Sequence, residues 1–364
     1  MKLGIVGLPN VGKTTLFNAL TNSDAESANY PYSTTGANVS AVTVPDKRLD
    51  FLRELYSPKK YTPATIEFVD IAGLARGASK GEGLGNKFLS HIRMTDAIIH
   101  VVRCFDDANV AHIEGESDPL RDIEIINLEL VLADVEMVQR RVERAKKSAK
   151  GDKKYLHEAD VFERLLVHMD DGSPARLFDC SPEDMEIIRT SELLSLKPVI
   201  YAANVDEGDF AVGIEDSAYY ISVKKQAAAE NTRAFAICAK VEQELVGLSD
   251  EDKELFLSEL GIGESGLYSL IRESYALLGL ISFLTCGPDE VRAWTIRDGT
   301  IAQRAAGKIH SDIERGFIRA EIVSYDDLEA SGTIAVAKEK GLVRLEGKEY
   351  IMRDGDVVNF RFNV

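Results

Sequence analysis

Gly7-Leu8-Pro9-Asn10-Val11-Gly12-Lys13-Thr14 sets two glycines, a lysine and a hydroxyl in the spacing G-x-x-x-x-G-K-[ST]. That combination holds phosphate. The glycines allow a tight loop whose backbone N–H groups can point at anionic oxygens, and a following helix adds the positive end of its dipole. Lys13 can reach β- and γ-phosphates, and the Thr14 hydroxyl can ligate Mg²⁺. Asn10, Val11, Gly12, Lys13, Thr14 and Thr15 are therefore the candidate phosphate-binding set, with Lys13 also counted among the catalytic candidates.

A phosphate loop does not by itself separate kinases, transporters and switches. Asp70-Ile71-Ala72-Gly73 narrows the choice. It is a D-x-x-G in which the carboxylate can hold a magnesium-bound water and the Gly73 N–H can meet a γ-phosphate. Asn204-Val205-Asp206-Glu207 then stands where a GTPase-type domain carries N-K-x-D, and Cys238-Ala239-Lys240 where it carries S-A-K. The order of these motifs is that of a GTPase-type switch domain. The base site departs from guanine recognition. In N-K-x-D the Asp accepts two adjacent guanine donors; Glu207 sets its carboxylate one methylene further out, and Val205 lacks the lysine stem that lies over the base. Adenine offers an acceptor and a donor there, and a polar site built for one pattern rejects the other. Asn204 can still bond a base. The expected ligand is ATP, with weaker GTP.

The elements that must position these groups follow from periodicity. Lys2-Leu3-Gly4-Ile5-Val6 is a short apolar run suited to a buried strand, and Leu16, Phe17 and Leu20 recur at helical spacing, so the loop sits between strand and helix as it requires. Thr65–Asp70, Ala97–Arg103, Pro198–Asn204 and Arg233–Cys238 read as further strands of an α/β domain. Between them, Ile125, Leu128, Leu132, Val135, Val138 and Val142 mark a long helix, and Leu156, Phe162, Leu165, Leu166 and Met169 a second one. This is an inserted antiparallel helical hairpin. Its tip and flank carry Arg140, Arg141, Arg144, Lys146, Lys147, Lys150, Lys153 and Lys154. From Leu280 onward a mixed strand set with one main helix predicts a small β-grasp domain. The expected fold class is α/β: a P-loop NTPase domain of the GTPase type over 1–120 plus 197–278, the inserted hairpin over 121–196, and the β-grasp domain over 279–364.

The 364 residues carry a net charge of −17, which opposes broad, nonspecific nucleic-acid binding and DNA as a partner, though the hairpin tip is a local basic patch. No apolar stretch approaches the roughly 18 residues of a membrane span. Cys104, Cys180, Cys238 and Cys286 form no close pair and no zinc spacing. With a strand where a leader would stand, the expected compartment is the cytoplasm.

Taken together, Gly7–Thr14, Asn29-Tyr30-Pro31-Tyr32, Asp70–Leu74, Gly77–Asn86 and Asn204–Glu207 resemble the YchF, or Obg-like ATPase, family. Glu290–Ile296, Ala306–His310 and Gly316–Ile318 are similar to that family's TGS domain, so the resemblance spans essentially the whole chain. It implies a translation-factor-class ATPase that binds the ribosome, with ribosomal RNA met through the hairpin and the TGS domain. It implies ATP preference, with Phe105 and Val205 sandwiching the base beside Asn204, Glu207, Cys238 and Ala239. Leu74 stands where Ras-like proteins place a water-orienting Gln, so water must be positioned elsewhere. Asn10 matches an Asn that helps bind K⁺ in related P-loop proteins, and His112 matches a His that the family is proposed to use in hydrolysis. Thr34 matches the switch threonine that joins Thr14 and Asp70 around Mg²⁺. Where the family continues Ile-Glu-Pro-Asn, this chain has Thr35-Gly36-Ala37-Asn38, which should loosen that switch. The expectation is a slow, Mg²⁺-dependent ATPase switch, with K⁺ a second cation. The alternative is a regulatory binding protein, in stress response, whose hydrolysis is incidental.

Overall fold

The apolar runs fold as strands of two sheets. In chain order these are β1 (Lys2–Val6), β2 (Asn38–Thr43), β3 (Lys60–Thr62), β4 (Thr65–Asp70), β5 (Ala97–Cys104), β6 (Val199–Val205), β7 (Ala234–Ile237), β8 (Leu280–Thr285), β9 (Glu290–Arg297), β10 (Phe317–Ser324), β11 (Arg344–Glu346) and β12 (Asp356–Phe362). The structure, a computed structural model, describes residues 1–23, 38–72, 84–107, 110, 112–113 and 115–363.

The first sheet has the order β2-β4-β1-β5-β6-β7, with β1 parallel to both β4 and β5, and β6 parallel to β5 and β7. Every residue of β5 and of β6 is buried. A parallel sheet is covered on both faces, so its inner strands read as continuous apolar runs rather than as alternation. Helix α1 (Lys13–Ser23) follows β1 directly. The helices α2 (Lys47–Tyr56) and α3 (Leu84–Arg93) precede β3 and β5.

The inserted hairpin is α4 (Pro119–Ala149) against α5 (Tyr155–Met169), followed by α6 (Pro182–Arg189). Asp118 caps α4 by accepting from the Arg121 N–H, and Pro119 fills the first turn, where a missing N–H costs nothing. The 31 residues of α4 extend about 46 Å. Val131, Val138 and Val142 of α4 pack against Val161, Phe162, Leu165 and Met169 of α5. The return chain is pinned by Asp134, whose buried carboxylate accepts from Leu194 N at 3.0 Å and Ser195 N at 2.7 Å. Of the basic residues near the tip, Arg140 pairs with Glu136, Lys146 with Glu163 and Lys154 with Asp152, while Arg141 donates to Thr190 O. Among the described residues Arg144, Lys147, Lys150 and Lys153 have no ion-pair partner.

By internal contacts the chain divides into two units, Met1–Ala41 with Glu67–Leu270 and Val42–Ile66 with Ile271–Val364. The hairpin thus shares a unit with the P-loop, and residues 42–66, expected within the N-terminal domain, belong with the C-terminal unit. The reason is local. β3 extends the second sheet, order β11-β10-β12-β8-β9-β3, by pairing in parallel with β9. Leu49 and Leu52 of α2 are buried in a core shared with Leu284, Val291, Val323 and Val357. Arg48 ties the same helix to Asp354 at 2.7 Å. The other face of this sheet is covered by the helix Ala302–Ile309, whose Ala302, Ala305 and Ala306 sit among Phe283, Ile296, Ala320 and Phe360.

Candidate functional site

In open α/β sheets, ligands bind beyond the carboxyl ends of the strands. Five candidate segments leave those ends: Gly7–Thr14 after β1, Asp70 at the end of β4, Phe105 after β5, Asn204 at the end of β6 and Cys238 after β7. The sequence motifs lie far apart in the chain, and the parallel sheet brings them to one edge.

Both loop glycines are required by close approach. A Cβ on Gly7 would lie 2.5 Å from Val101 O, and one on Gly12 would lie 2.3 Å from the Asn204 Nδ2. Gly12 also sits at φ +95, and Asn10 at φ +63, a left-handed conformation that Asn tolerates better than most residues. Lys13 opens α1, so the unpaired N–H groups of the first helical turn lie in the loop. Its ammonium donates to Leu8 O at 2.5 Å, folding the side chain back over the loop. Burial pulls Lys13 down to about 8, partly offset by Asp70. Burial pushes Asp70 up, and Lys13 opposes that shift. Asp70 is placed by register: Ile5 of β1 pairs with Asp70 of β4, and Ile71 N donates to Ile5 O. The Thr14 hydroxyl and the Asp70 carboxylate are hard oxygen donors of the kind Mg²⁺ takes alongside phosphate and water.

Asn204 joins two loops. Its Nδ2 donates to Val11 O at 2.9 Å, and its Oδ1 accepts from Ala239 N at 3.0 Å. The side chain is buried. Expected as a base contact, Asn204 spends one donor and one acceptor bracing the phosphate loop against the turn after β7. Val205 is also buried, at the end of β6. Asp206 caps the helix α7 (Glu207–Val212) with a reciprocal capping box. That cap fixes Glu207 as the first helical residue, where its carboxylate meets Lys240 Nζ at 3.1 Å. Cys238 precedes α8 (Ala239–Glu244), and burial pushes its thiol up.

Phe105 leaves β5 with its ring 4.5 Å from the buried Arg103 guanidinium. Its carbonyl accepts from Arg103 Nε at 3.1 Å and Ser117 Oγ at 3.0 Å. The side chain of His112 is buried, with Nε2 2.8 Å from Asp122 Oδ2 on the first turn of α4. A second histidine, His100 on β5, is fully buried and pushed down to about 3, chiefly by burial; it stays neutral and takes up no proton near neutral pH. Thr34, Gly73 and Leu74, and with them residues 77–83 of the glycine-rich segment, lie outside the described residues.

Two family models match the chain. One described as "50S ribosome-binding GTPase" covers residues 2–132. The other, YchF-GTPase_C, described as "Protein of unknown function (DUF933)", covers residues 280–363. The chain is 54% identical over 364 residues to the "Ribosome-binding ATPase YchF" of Bacillus subtilis (strain 168), covering 99% of each. The chain belongs to the YchF family. The relative of the same name from Escherichia coli O157:H7 is 49% identical, covering 100% of this chain and 99% of its own. The structure of the Schizosaccharomyces pombe YchF GTPase superposes with a TM-score of 0.88 at 40% identity, covering 99% of this chain and 97% of that one. The α/β P-loop fold is thereby borne out. Relatives in the YchF family are named both as ATPase and as GTPase, so base choice has to be argued from Val205, Glu207 and their surroundings.

Three neighbours of the site were not anticipated: Arg103 beneath Phe105, Lys240 as the partner of Glu207, and Asp122 as the partner of His112. Only Asp122 left a sequence signal. Asp118-Pro119 announces a helix start, and Asp122 falls one turn further on, in the stretch that also contains His112.

Proposed function

We propose that this chain is a Mg²⁺-dependent ATPase that prefers ATP to GTP and hydrolyses it to ADP and phosphate as a slow, cytoplasmic switch acting at the ribosome. The base-side chemistry carries the ATP assignment. Glu207, with a carboxylate one methylene longer than the Asp of a guanine site and already held by Lys240 at 3.1 Å, takes the position where guanine is read. Val205 replaces the stacking lysine. Phe105 and Val205 bound the base, Ala239 and Cys238 close its far side, and Asn204 holds the two loops in register.

The phosphates lie on the N–H groups from Asn10 to Thr15, with Lys13 against the β- and γ-phosphates and the Gly73 N–H toward the γ-phosphate. Thr14, Asp70 and Thr34 are the residues that would hold Mg²⁺. The ion, when bound, neutralises charge on the phosphate oxygens. Phosphates would free the Lys13 ammonium from Leu8 O and favour its charged form. His112 assists the attacking water in place of the absent Gln, and Asn10 helps hold K⁺ near the loop.

The ribosome assignment draws on the names of the relatives and on the four basic side chains without ion-pair partners near the hairpin tip, which suit RNA phosphates; the TGS domain is the second contact. The test is turnover of ATP and of GTP with Mg²⁺, with and without ribosomes. The reading expects slow ATP turnover that ribosomes accelerate. Hydrolysis indifferent to ribosomes would favour the regulatory binding protein.

A further inference from the structure

The loop between β5 and α4 is anchored at both ends. Ser117 Oγ donates to Phe105 O at 3.0 Å, and the Tyr219 hydroxyl donates to Asp106 Oδ2 at 3.0 Å. Within it, Gly115 N donates to His112 O at 3.1 Å, closing a turn at the histidine itself. The ring does not rest on water: its Nε2 lies 2.8 Å from Asp122 Oδ2, and both side chains are 2% exposed.

We propose that Asp122 is the positioning residue for His112, fixing the ring's orientation and the nitrogen that carries its proton. The inference rests on the reading of His112 as the group that assists hydrolysis. A carboxylate only accepts, so a neutral ring beside it keeps its hydrogen on Nε2 and its basic lone pair on Nδ1. A carboxylate orienting a histidine in this way is the relation found in carboxylate–histidine pairs of hydrolytic sites. Asp122 is itself held. Its other oxygen lies 3.3 Å from Arg121 Nη2, which also donates to Glu116 O at 2.7 Å. Cys104 on β5 is a further titratable neighbour, its thiol pushed up by burial. The carboxylate stands in the first turn of α4, where Asp122 N donates to Asp118 O and Asp118 caps the helix. A loop histidine thus takes its orientation from the rigid end of a long helix, the arrangement a precise catalytic group needs.

The test compares ATP turnover of the full chain with Asp122→Asn, Asp122→Ala, Asp122→Glu and His112→Ala, alongside ¹⁵N spectra of the His112 imidazole. The expected result is a fall in kcat of about tenfold or more for Asn and Ala, with KM for ATP unchanged and partial rescue by Glu. In the unsubstituted protein the ring shows the Nε2–H tautomer. Loss of turnover in His112→Ala but not in Asp122→Asn or Asp122→Ala overturns the positioning role alone. Unchanged turnover in His112→Ala removes the reading beneath it, and the proposal with it. A faster Asp122→Asn enzyme, or an Nδ1–H ring in the unsubstituted protein, also overturns the proposal, and the spectrum stands even where a variant does not fold.

Discussion

Asn204→Ala removes a side chain that bonds both the phosphate loop and the turn after β7. Two buried hydrogen bonds disappear, Nδ2 to Val11 O at 2.9 Å and Ala239 N to Oδ1 at 3.0 Å. Each is worth about 1 kcal/mol net, and a buried group left unpaired costs about 1–3 kcal/mol. Counting about 1–2 kcal/mol for each of the two orphaned groups, the lower part of that range, the expected loss is about 2–4 kcal/mol. In a unit of this size that lowers the thermal midpoint by roughly 4–16 °C. Asn204→Asp keeps the acceptor for Ala239 N but turns a buried carboxylate oxygen toward Val11 O, so it should be at least as damaging. The backbone gives a cross-check. A methyl on Gly12 would meet Nδ2 at 2.3 Å, so Gly12→Ala should cost less in an Asn204→Ala background, though never nothing, because φ +95 remains. Thermal unfolding and calorimetric ATP binding on the single and double variants measure these terms. A midpoint within about 2 °C of the parent, with unchanged ATP affinity, would refute the bracing role, since it would leave two unpaired buried groups without cost.

Lys13 makes stability and binding depend on pH. Its pKa of about 8, against 10.5 unfolded, means the folded chain releases a proton that the unfolded chain keeps. Stability should therefore rise from about pH 8 to 10.5 by up to about 3 kcal/mol, visible in urea midpoints and absent in Lys13→Met. ATP phosphates restore the ammonium, so binding near pH 9 should take up close to one proton, read by calorimetry in buffers of different ionisation heat. Near the hairpin tip, Lys147→Glu, Lys150→Glu and Lys153→Glu together should weaken ribosome binding and lower its log–log salt slope by about 3; an unchanged slope would move the RNA contact elsewhere. Turnover should be faster in K⁺ than in Na⁺, with the difference lost in Asn10→Ala; equal rates in the two salts would remove Asn10 as a cation ligand.

Local chemistry was legible in the sequence where it is written in consecutive residues. The strand–loop–helix around Gly7–Thr14 follows from glycine placement and from Leu16, Phe17 and Leu20, and the hairpin from the spacing of Val135, Val138 and Val142 against Phe162 and Leu165. The buried strands β5 and β6 could be read as apolar runs. What stayed hidden depends on partners distant in the chain. The pairing of Lys60–Thr62 with Glu290–Arg292 moves residues 42–66 to the C-terminal unit, and three residues of strand carry too little pattern to announce it. The Asn204 side chain was assigned to the base because its motif sits there, yet its bonds to Val11 and Ala239 are set by how closely two loops approach. The residues around His112 in the chain are polar and name no partner for its ring. Asp118-Pro119 marks the helix start, but only the fold sets Asp122 against the ring.

The proposed turn of a GTPase-type site toward adenine by Val205 and Glu207 is open to direct measurement. Titration calorimetry of the nucleotide-free protein with ATP and with GTP, in Mg²⁺ and K⁺, tests it most directly. ATP should bind at least about tenfold tighter than GTP, the discrimination expected when a guanine-reading pattern is absent and the donors of guanine go unmatched. Equal or tighter binding of GTP would contradict it.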